Sequence, residues 1–389
     1  LTETLSLTDN MSFSAAVEGL EIIQESIGFT DSVTTTSDAD LATAWNKKVL
    51  TINHSLVSGS SNLSNVPVLV KLTDDPDLSE SNVGADGKGI RFTSDGTTFL
   101  DSEVEYYSGD STHGSIEAWV EIPTVDHDDP TYFYIHFGQP DLTTTKFSKG
   151  VWDAFEAVNH LHSTPNGVAT DREIEGSTGI QNSQGNDVDD FNANNMNGDD
   201  QVTGKIGLAL DFDGANDYLC LDDKIGSDNN FECDNEFSTL FDGSPVIPQR
   251  SISLWFYAHT INDSGEGDII FEEGGSGTGL NIYLENSKLY AGAWTGDAAD
   301  KHWMSTDTTA NEWHNVVFVM RETSDVSELW YDGVKVDTVA SHDASGHSND
   351  NCLAKSCSSS ETHEFDSVSD GLHFDGLIDE FRVINIKLP

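Results

Sequence analysis

Short runs in which apolar and polar residues alternate recur through most of the chain, and turn residues separate them. Lys48-Val-Leu-Thr-Ile-Asn53 alternates, as does Val66-Pro-Val-Leu-Val-Lys71. Residues 89–93 run into the turn Ser94-Asp95-Gly96, and alternating runs follow at 103–107, 116–122 and 131–137. A second set begins with 208–214 and continues through 251–257, 268–271, 280–284, 312–319, 328–336 and 374–383. Period two without a helical period predicts strands, and strands at this spacing predict antiparallel sandwiches. Asp332-Gly333 predicts a two-residue hairpin turn. Residues 156–206 break the pattern, with a stretch from 185 to 200 rich in Asn, Asp and Gly. That stretch reads as a long loop, in which Asp190, Asn192 and Asn194 resemble the opening of a calcium loop.

The first 38 residues are rich in Ser and Thr and hold an approximate repeat. Glu3-Thr-Leu-Ser-Leu-Thr-Asp9-Asn-Met11 echoes Glu25-Ser-Ile-Gly-Phe-Thr-Asp31-Ser-Val33 at an offset of 22 residues. The apolar members are Leu5, Leu7 and Phe13 in one copy and Ile27, Phe29 and Val33 in the other. Two such strands cannot bury a core of their own. They lie on another sheet, in this subunit or a neighbour, or they form a plain stalk.

Three resemblances follow from these motifs. The N-terminal repeat resembles arrays in large archaeal surface proteins. The stretch 45–155 resembles an uncharacterised β-sandwich family of bacterial and archaeal surface proteins. Trp45, Asn65-Val-Pro-Val-Leu-Val70, Ile90-Arg-Phe92, Ala118-Trp-Val-Glu-Ile-Pro123, Tyr132–Gly138 and Val151-Trp-Asp-Ala-Phe155 carry that likeness. Residues 207–386 look like a laminin-G-like, concanavalin-A-like jelly roll. The motifs are Leu208-Ala-Leu-Asp-Phe-Asp-Gly214, Ser251-Ile-Ser-Leu-Trp-Phe-Tyr257, Glu312-Trp-His-Asn-Val-Val-Phe-Val319, Glu328-Leu-Trp-Tyr-Asp-Gly333 and the closing run at 374–383. The expected fold is therefore all-β in three parts: an arm at 1–40, a β-sandwich at 41–155 and a jelly roll at 156–389.

Charge narrows the partners. The chain has 389 residues, 68 Asp and Glu against 18 Lys and Arg, and a formal net charge of −50. Such a surface repels nucleic acid and anionic membranes. No apolar run is long enough for a membrane span. Asp outnumbers Glu by 44 to 24, which fits a solvated surface suited to salty water and also fits calcium ligation. The chain begins at Leu1 without an initiator Met, as a mature secreted form does. The spacing of Cys220, Cys233, Cys352 and Cys357 matches no zinc module. Three disulfide pairings are open, the local pairs Cys220–Cys233 and Cys352–Cys357 being favoured over the others and over free thiols. Sequons at Asn10, Asn53, Asn62 and Asn262 are possible glycan acceptors. These features together point to an extracellular or cell-surface location.

Candidate chemistry is sparse. No G-x-S-x-G elbow, H-E-x-x-H or P-loop is present. Glu266, Asp268 and Glu272 come nearest to the alternating carboxylates of glucan hydrolases, but the last gap is one residue too long. His160 and His162 would share one face of a strand as a metal pair. The jelly-roll resemblance implies a structural Ca2+ held by the Gly214 carbonyl and Asp379, with Asp213 and Asp217 assisting; turn formation and N–H acceptance compete as roles for these aspartates. Trp303 and Trp294 are candidate glycan contacts, because sugar faces stack on aromatic rings, whereas Trp255, Trp313 and Trp330 read as core. The resulting expectation is a non-enzymatic structural protein of the cell surface. Its arm adds a strand to a neighbouring copy and builds a filament. A calcium-dependent glycan-binding adhesin is the alternative, and a glucan hydrolase the remote one.

Overall fold

The computed structural model describes residues 45–57, 60–142, 149–155, 157–165, 191–221, 250–261, 267–275, 277–295, 301–320, 326–340, 351–356, 360–363 and 372–384. The arm residues Leu5, Leu7, Phe13, Ile27, Phe29 and Val33 lie outside them, as do Asn10, Cys233, Asn262, Glu266 and Cys357. The chain is all-β and divides into two units, residues 1–153 with 388–389, and residues 154–387.

The first unit is a sandwich of two antiparallel three-stranded sheets. Its strands are β1 (Asn46–Ile52), β2 (Leu63–Asp75), β3 (Arg91–Thr93), β4 (Ser102–Gly109), β5 (Gly114–Val125) and β6 (Thr131–Phe137). One sheet has the order β1-β6-β3 and the other β2-β5-β4. The alternation read from the sequence sets their inner faces. Leu50, Ile52, Phe92, Phe133, Ile135 and Phe137 from the first sheet share a core with Val66, Val68, Ile116, Val120 and Ile122 from the second. Two tryptophans reach this unit's interior with their N–H groups satisfied. Trp119 Nε1 donates to Glu105 and Trp152 Nε1 to Glu103, both at 2.7 Å. Buried indoles need such acceptors.

The second unit packs two larger sheets on one core. Its strands are β7 (Ala157–Asn159), β8 (Phe191–Asn194), β9 (Gln201–Thr203), β10 (Leu208–Asp213), β11 (Tyr218–Leu221), β12 (Arg250–Ala258) and β13 (Asp268–Gly275). They continue with β14 (Thr278–Glu285), β15 (Lys288–Thr295), β16 (Lys301–Asp307), β17 (Trp313–Met320), β18 (Val326–Tyr331), β19 (Val334–Ala340), β20 (Asn351–Leu353) and β21 (Asp375–Ile384). One sheet runs β19-β18-β17-β12-β21-β10-β9 with β7 on β21, and the other runs β16-β15-β14-β13-β20-β11-β8. Leu254, Phe256, Val316, Phe318, Ile378 and Phe381 from the first sheet meet Phe271, Leu280, Ile282, Leu284 and Leu289 from the second. Asp332 (φ 48°) and Gly333 (φ 74°) make the turn between β18 and β19.

Two expectations differ from the structure. Asn192 and Asn194 belong to β8, paired with β11, so they stand in a ladder and not in a calcium loop. His160 and His162 are not on a strand face, because β7 ends at Asn159 and Leu161 takes a left-handed φ of 57°. The two imidazoles stack instead, with centroids 5.8 Å apart. His160 Nδ1 lies 2.7 Å from Glu380 Oε1. Glu380 sits in a bulge of β21, where φ is 55° and the register against β12 shifts. Burial pushes its carboxyl up, but His160 and Arg382 outweigh that and hold it at about 2.

Candidate functional site

The site forms where β10 turns into β11 and the start of β21 lies alongside. Asp213 ends β10, and its Oδ1 accepts the N–H groups of Ala215 at 2.8 Å, Asn216 at 3.0 Å and Asp217 at 3.3 Å. This Asx-type turn is what Asp contributes at such a position. Asp217 Oδ2 accepts the N–H of Asp213 at 3.2 Å. Gly214 has φ 68°, and a Cβ there would come within 2.7 Å of Asp375 Cβ. The turn therefore needs glycine both for its dihedral and for its close approach to β21.

Asp375 stands opposite Asp213 in the β10–β21 register. His259 Nδ1 lies 3.1 Å from Asp375 Oδ1 and 3.8 Å from Asp211 Oδ1, and Thr260 donates to Asp375 Oδ2 at 2.8 Å. His373, whose Nδ1 is 3.3 Å from the Asp217 carbonyl, approaches from the other side. A concave pocket of about 390 Å³ results, lined by Asp213, Gly214, Thr260, Ile261, Asp268, His373 and Asp375. Among the described residues no lysine or arginine lines it.

Crowded carboxylates raise one another. Burial and then the charge of Asp213 push Asp217 up to about 6, with smaller contributions from Asp200 and Asp211. Burial also raises Asp211, and Asp375 adds to the shift. Asp213 moves the other way, because its three backbone N–H bonds outweigh its burial. The described lining offers mostly hard oxygen, on the carboxylates of Asp213, Asp268 and Asp375 and the Thr260 hydroxyl, beside the His373 imidazole. That chemistry fits Ca2+ and fits softer metals less well.

Of the residues expected at the calcium site, Asp213 and Gly214 line the pocket and Asp217 adjoins it. Asp379 does not line it: fully buried, its Oδ2 accepts the N–H groups of Lys205 at 2.8 Å and Ile206 at 2.9 Å. Burial, with the neighbouring Glu380 charge, raises its carboxyl well above the usual range. Asp268, His373 and Asp375 belong to the pocket but were not singled out for it from the sequence. All three lie in or beside strands read as packing elements, and only the fold brings their ends together.

The aromatic candidates separate. Trp294 is completely buried and presents no face to solvent, which corrects its reading as a sugar contact. Trp303 stacks on it at 6.1 Å, remains half-buried and donates to Asn281 Oδ1 at 3.2 Å. Glu272 is completely buried and pairs in register with Asn281. Cys220 and Cys352 are both disulfide-bonded and stand opposite each other on β11 and β20. Asn53 and Asn62 are exposed; Asn53 Oδ1 accepts the Ser55 N–H at 3.1 Å, and Asn62 Oδ1 that of His127 at 3.0 Å. No helix among the described residues is long and apolar enough to cross a membrane.

Residues 213–389 match the concanavalin A-like lectin/glucanases superfamily, and residues 86–166 match a domain of unknown function (DUF2341). No curated protein matches the chain. Among solved structures, the CBM40 of Ruminococcus gnavus IT-sialidase bound to α2,3-sialyllactose is 12% identical, over 37% of this chain and 79% of that one, with a TM-score of 0.30. A heptameric SAP-like pentraxin from Limulus polyphemus is 12% identical, over 36% and 64%, with a TM-score of 0.26. The binding domain of botulinum neurotoxin serotype D/C is 10% identical, over 58% and 50%, with a TM-score of 0.38. The chain thus spans about half the length of such toxin domains. Its C-terminal part is a concanavalin-A-like domain.

Proposed function

We propose that the C-terminal unit is a glycan-binding module of an extracellular protein, holding its ligand at the Asp213–Asp268–Asp375 pocket together with Ca2+. The observation that carries this reading is the pocket itself. Asp213, Asp268 and Asp375 line a space of about 390 Å³ together with Gly214, and among the described residues no lysine or arginine lines it. A divalent cation supplies the missing positive charge and offers open positions to vicinal sugar hydroxyls. Asp213 and Asp375 hold it from facing strands, and Thr260 and His373 provide hydrogen bonds at the rim. The superfamily match at 213–389, which joins lectins and glucanases, is compatible with it. Disulfide bonding of Cys220 and Cys352 fits an oxidising compartment.

Catalysis is not part of the proposal. Glu272, the described carboxylate nearest to a hydrolase motif, is completely buried. The test is a glycan array and a calcium titration of thermal stability on the full chain and on Asp213→Asn/Asp375→Asn. Calcium should raise Tm and permit glycan retention in the parent chain, and both effects should vanish in the variant. A Tm indifferent to calcium, with no glycan retained at any calcium level, overturns it.

A second reading concerns assembly: the arm at 1–38 adds a strand to a neighbouring copy and links subunits head to tail. The repeat favours it, since each copy alternates apolar and polar residues as a pairing strand does.

A further inference from the structure

Lys48 occupies a position that the pattern of its strand reserves for an apolar side chain. On β1 it falls on the inward side with Leu50 and Ile52, and it is buried as they are. Its Nζ lies 6.0 Å from the ring centroid of Phe137, another core residue. Burying an ammonium is costly, and a buried ion pair rarely stabilises more than an apolar side chain would in its place.

The partners of Lys48 stand at the end of β2, in the opposite sheet. Nζ lies 2.7 Å from Asp75 Oδ1, 2.6 Å from Asp75 Oδ2 and 2.9 Å from Asp77 Oδ2. Contact with both oxygens of one carboxyl leaves Nζ about 3 Å or less from the carboxyl carbon, which is a near-attack distance. The carboxyl is held from its own turn. Asp75 caps the short 3₁₀ turn Pro76–Leu78, and its Oδ1 accepts the Asp77 N–H at 2.9 Å. A tilt of the carboxyl about that oxygen turns its face to the nitrogen. The two aspartates differ in their access to water, with the Asp75 side chain 13% exposed and that of Asp77 30%. The drier carboxyl gives up its charge more readily, and the wetter one can exchange protons with solvent.

We propose that Lys48 and Asp75 are joined by an isopeptide bond that the chain forms itself, with Asp77 as the proton shuttle. One proton passes from Nζ to Asp75, which turns the ion pair into an amine and a carboxylic acid. The nitrogen lone pair attacks the carboxyl carbon and a C–N bond forms. The Asp77 N–H on Oδ1 stabilises the charge that develops on that oxygen. The Asp77 carboxylate takes the second proton from nitrogen and delivers it to the departing hydroxyl. The C–O bond breaks, one water leaves, and Asp77 ends as it began. No oxidant, reductant or nucleotide is required. Burial disfavours the Lys48 ammonium, but Asp75 and Asp77 outweigh that and hold it above its usual range. The pair therefore rests charged and condenses slowly, once per chain. The product replaces two buried charges by one neutral amide and ties the two sheets of the unit together.

Intact-mass spectrometry of the full chain tests it, on protein expressed without glycans, unfolded and with its disulfides reduced. The parent should weigh one water less than its sequence, and a digest should yield a branched peptide that joins Lys48 to Asp75. Lys48→Arg keeps the positive charge without the nucleophile, and Asp75→Ala removes the acyl group; both should show the full mass. Asp77→Asn is nearly isosteric and should keep the far-UV circular dichroism of the parent. In freshly synthesised chain sampled over time, it should form the bond about 10²-fold more slowly or less. A parent that keeps the full mass on prolonged storage overturns the proposal. So does a water loss that persists in Lys48→Arg, since succinimide formation elsewhere gives the same mass. A branch point on Asp77, or an Asp77→Asn chain that reacts as fast as the parent, overturns the roles given to the two aspartates.

Discussion

Asp213 and Asp217 stand four residues apart and titrate in opposite directions. Asp213 receives three backbone N–H bonds and keeps its charge readily, whereas Asp217 is buried beside that charge and rises to about 6. A carboxyl raised in the folded state holds a proton that the unfolded chain has already lost. Stability therefore falls as pH rises from about 4 to about 6, and the cost is complete above that. Asp217→Asn removes the cost. Without calcium, its Tm should exceed that of the parent at pH 7 and converge with it near pH 4. Solvent screening holds the gain to about 1 kcal/mol, or about 2–4 °C for a unit of this size. Thermal melts across that pH range check it, and a variant less stable than the parent at pH 7 would show that Asp217 serves the fold by its hydrogen bond to Asp213 instead. The sequence shows both aspartates as turn formers; their opposite charge preferences depend on the burial of Asp217 and on the three N–H groups gathered at Asp213, which only the folded turn sets.

At the scale of elements, the strands were legible and the places where they deviate were not. Residues 251–257 and 131–137 alternate cleanly, and their alternate side chains do fill the two cores. The bulge in β21 leaves no trace in that alternation. Inward Phe381 and Ile378 are three residues apart, and two consecutive acids, Asp379 and Glu380, fill the gap with different partners. A resemblance therefore placed Asp379 at the metal site, whereas the bulge turns it to the N–H groups of Lys205 and Ile206. The β10–β11 turn carries its constraint openly in Asp213-Gly214, but the reason for the glycine lies on β21. Gly214→Ala combines a positive φ with a Cβ 2.7 Å from Asp375 Cβ. It should cost about 1–3 kcal/mol and displace Asp375. Chemical denaturation measures the first effect. Calcium-dependent stabilisation, which should shrink with it, measures the second.

For the molecule as a whole, the charge is plain from the composition, while its distribution is a property of the fold. Eighteen basic residues cannot neutralise 68 acidic ones. Several lysines of the described residues are already committed, as in Lys71–Glu117, Lys301–Glu361 and Lys335–Glu328. The remaining carboxylates repel one another over the Debye length, about 10 Å at 0.1 M salt and about 3 Å at 1 M. Folding concentrates them, so monovalent salt stabilises the folded chain by screening. Tm should rise between 0.1 and 1 M KCl and flatten beyond, where the screening length is shorter than the spacing of most surface charges. Calcium acts in the same general way, but at the pocket it also acts as a ligand. At equal ionic strength CaCl2 should therefore raise Tm further than KCl does. Asp213→Asn/Asp375→Asn separates the two effects: the excess due to calcium should disappear while the KCl slope stays as it was. A variant that keeps the calcium excess would move the cation to the diffuse acidic surface, and one that loses the KCl slope would place most of the strain in this single cluster.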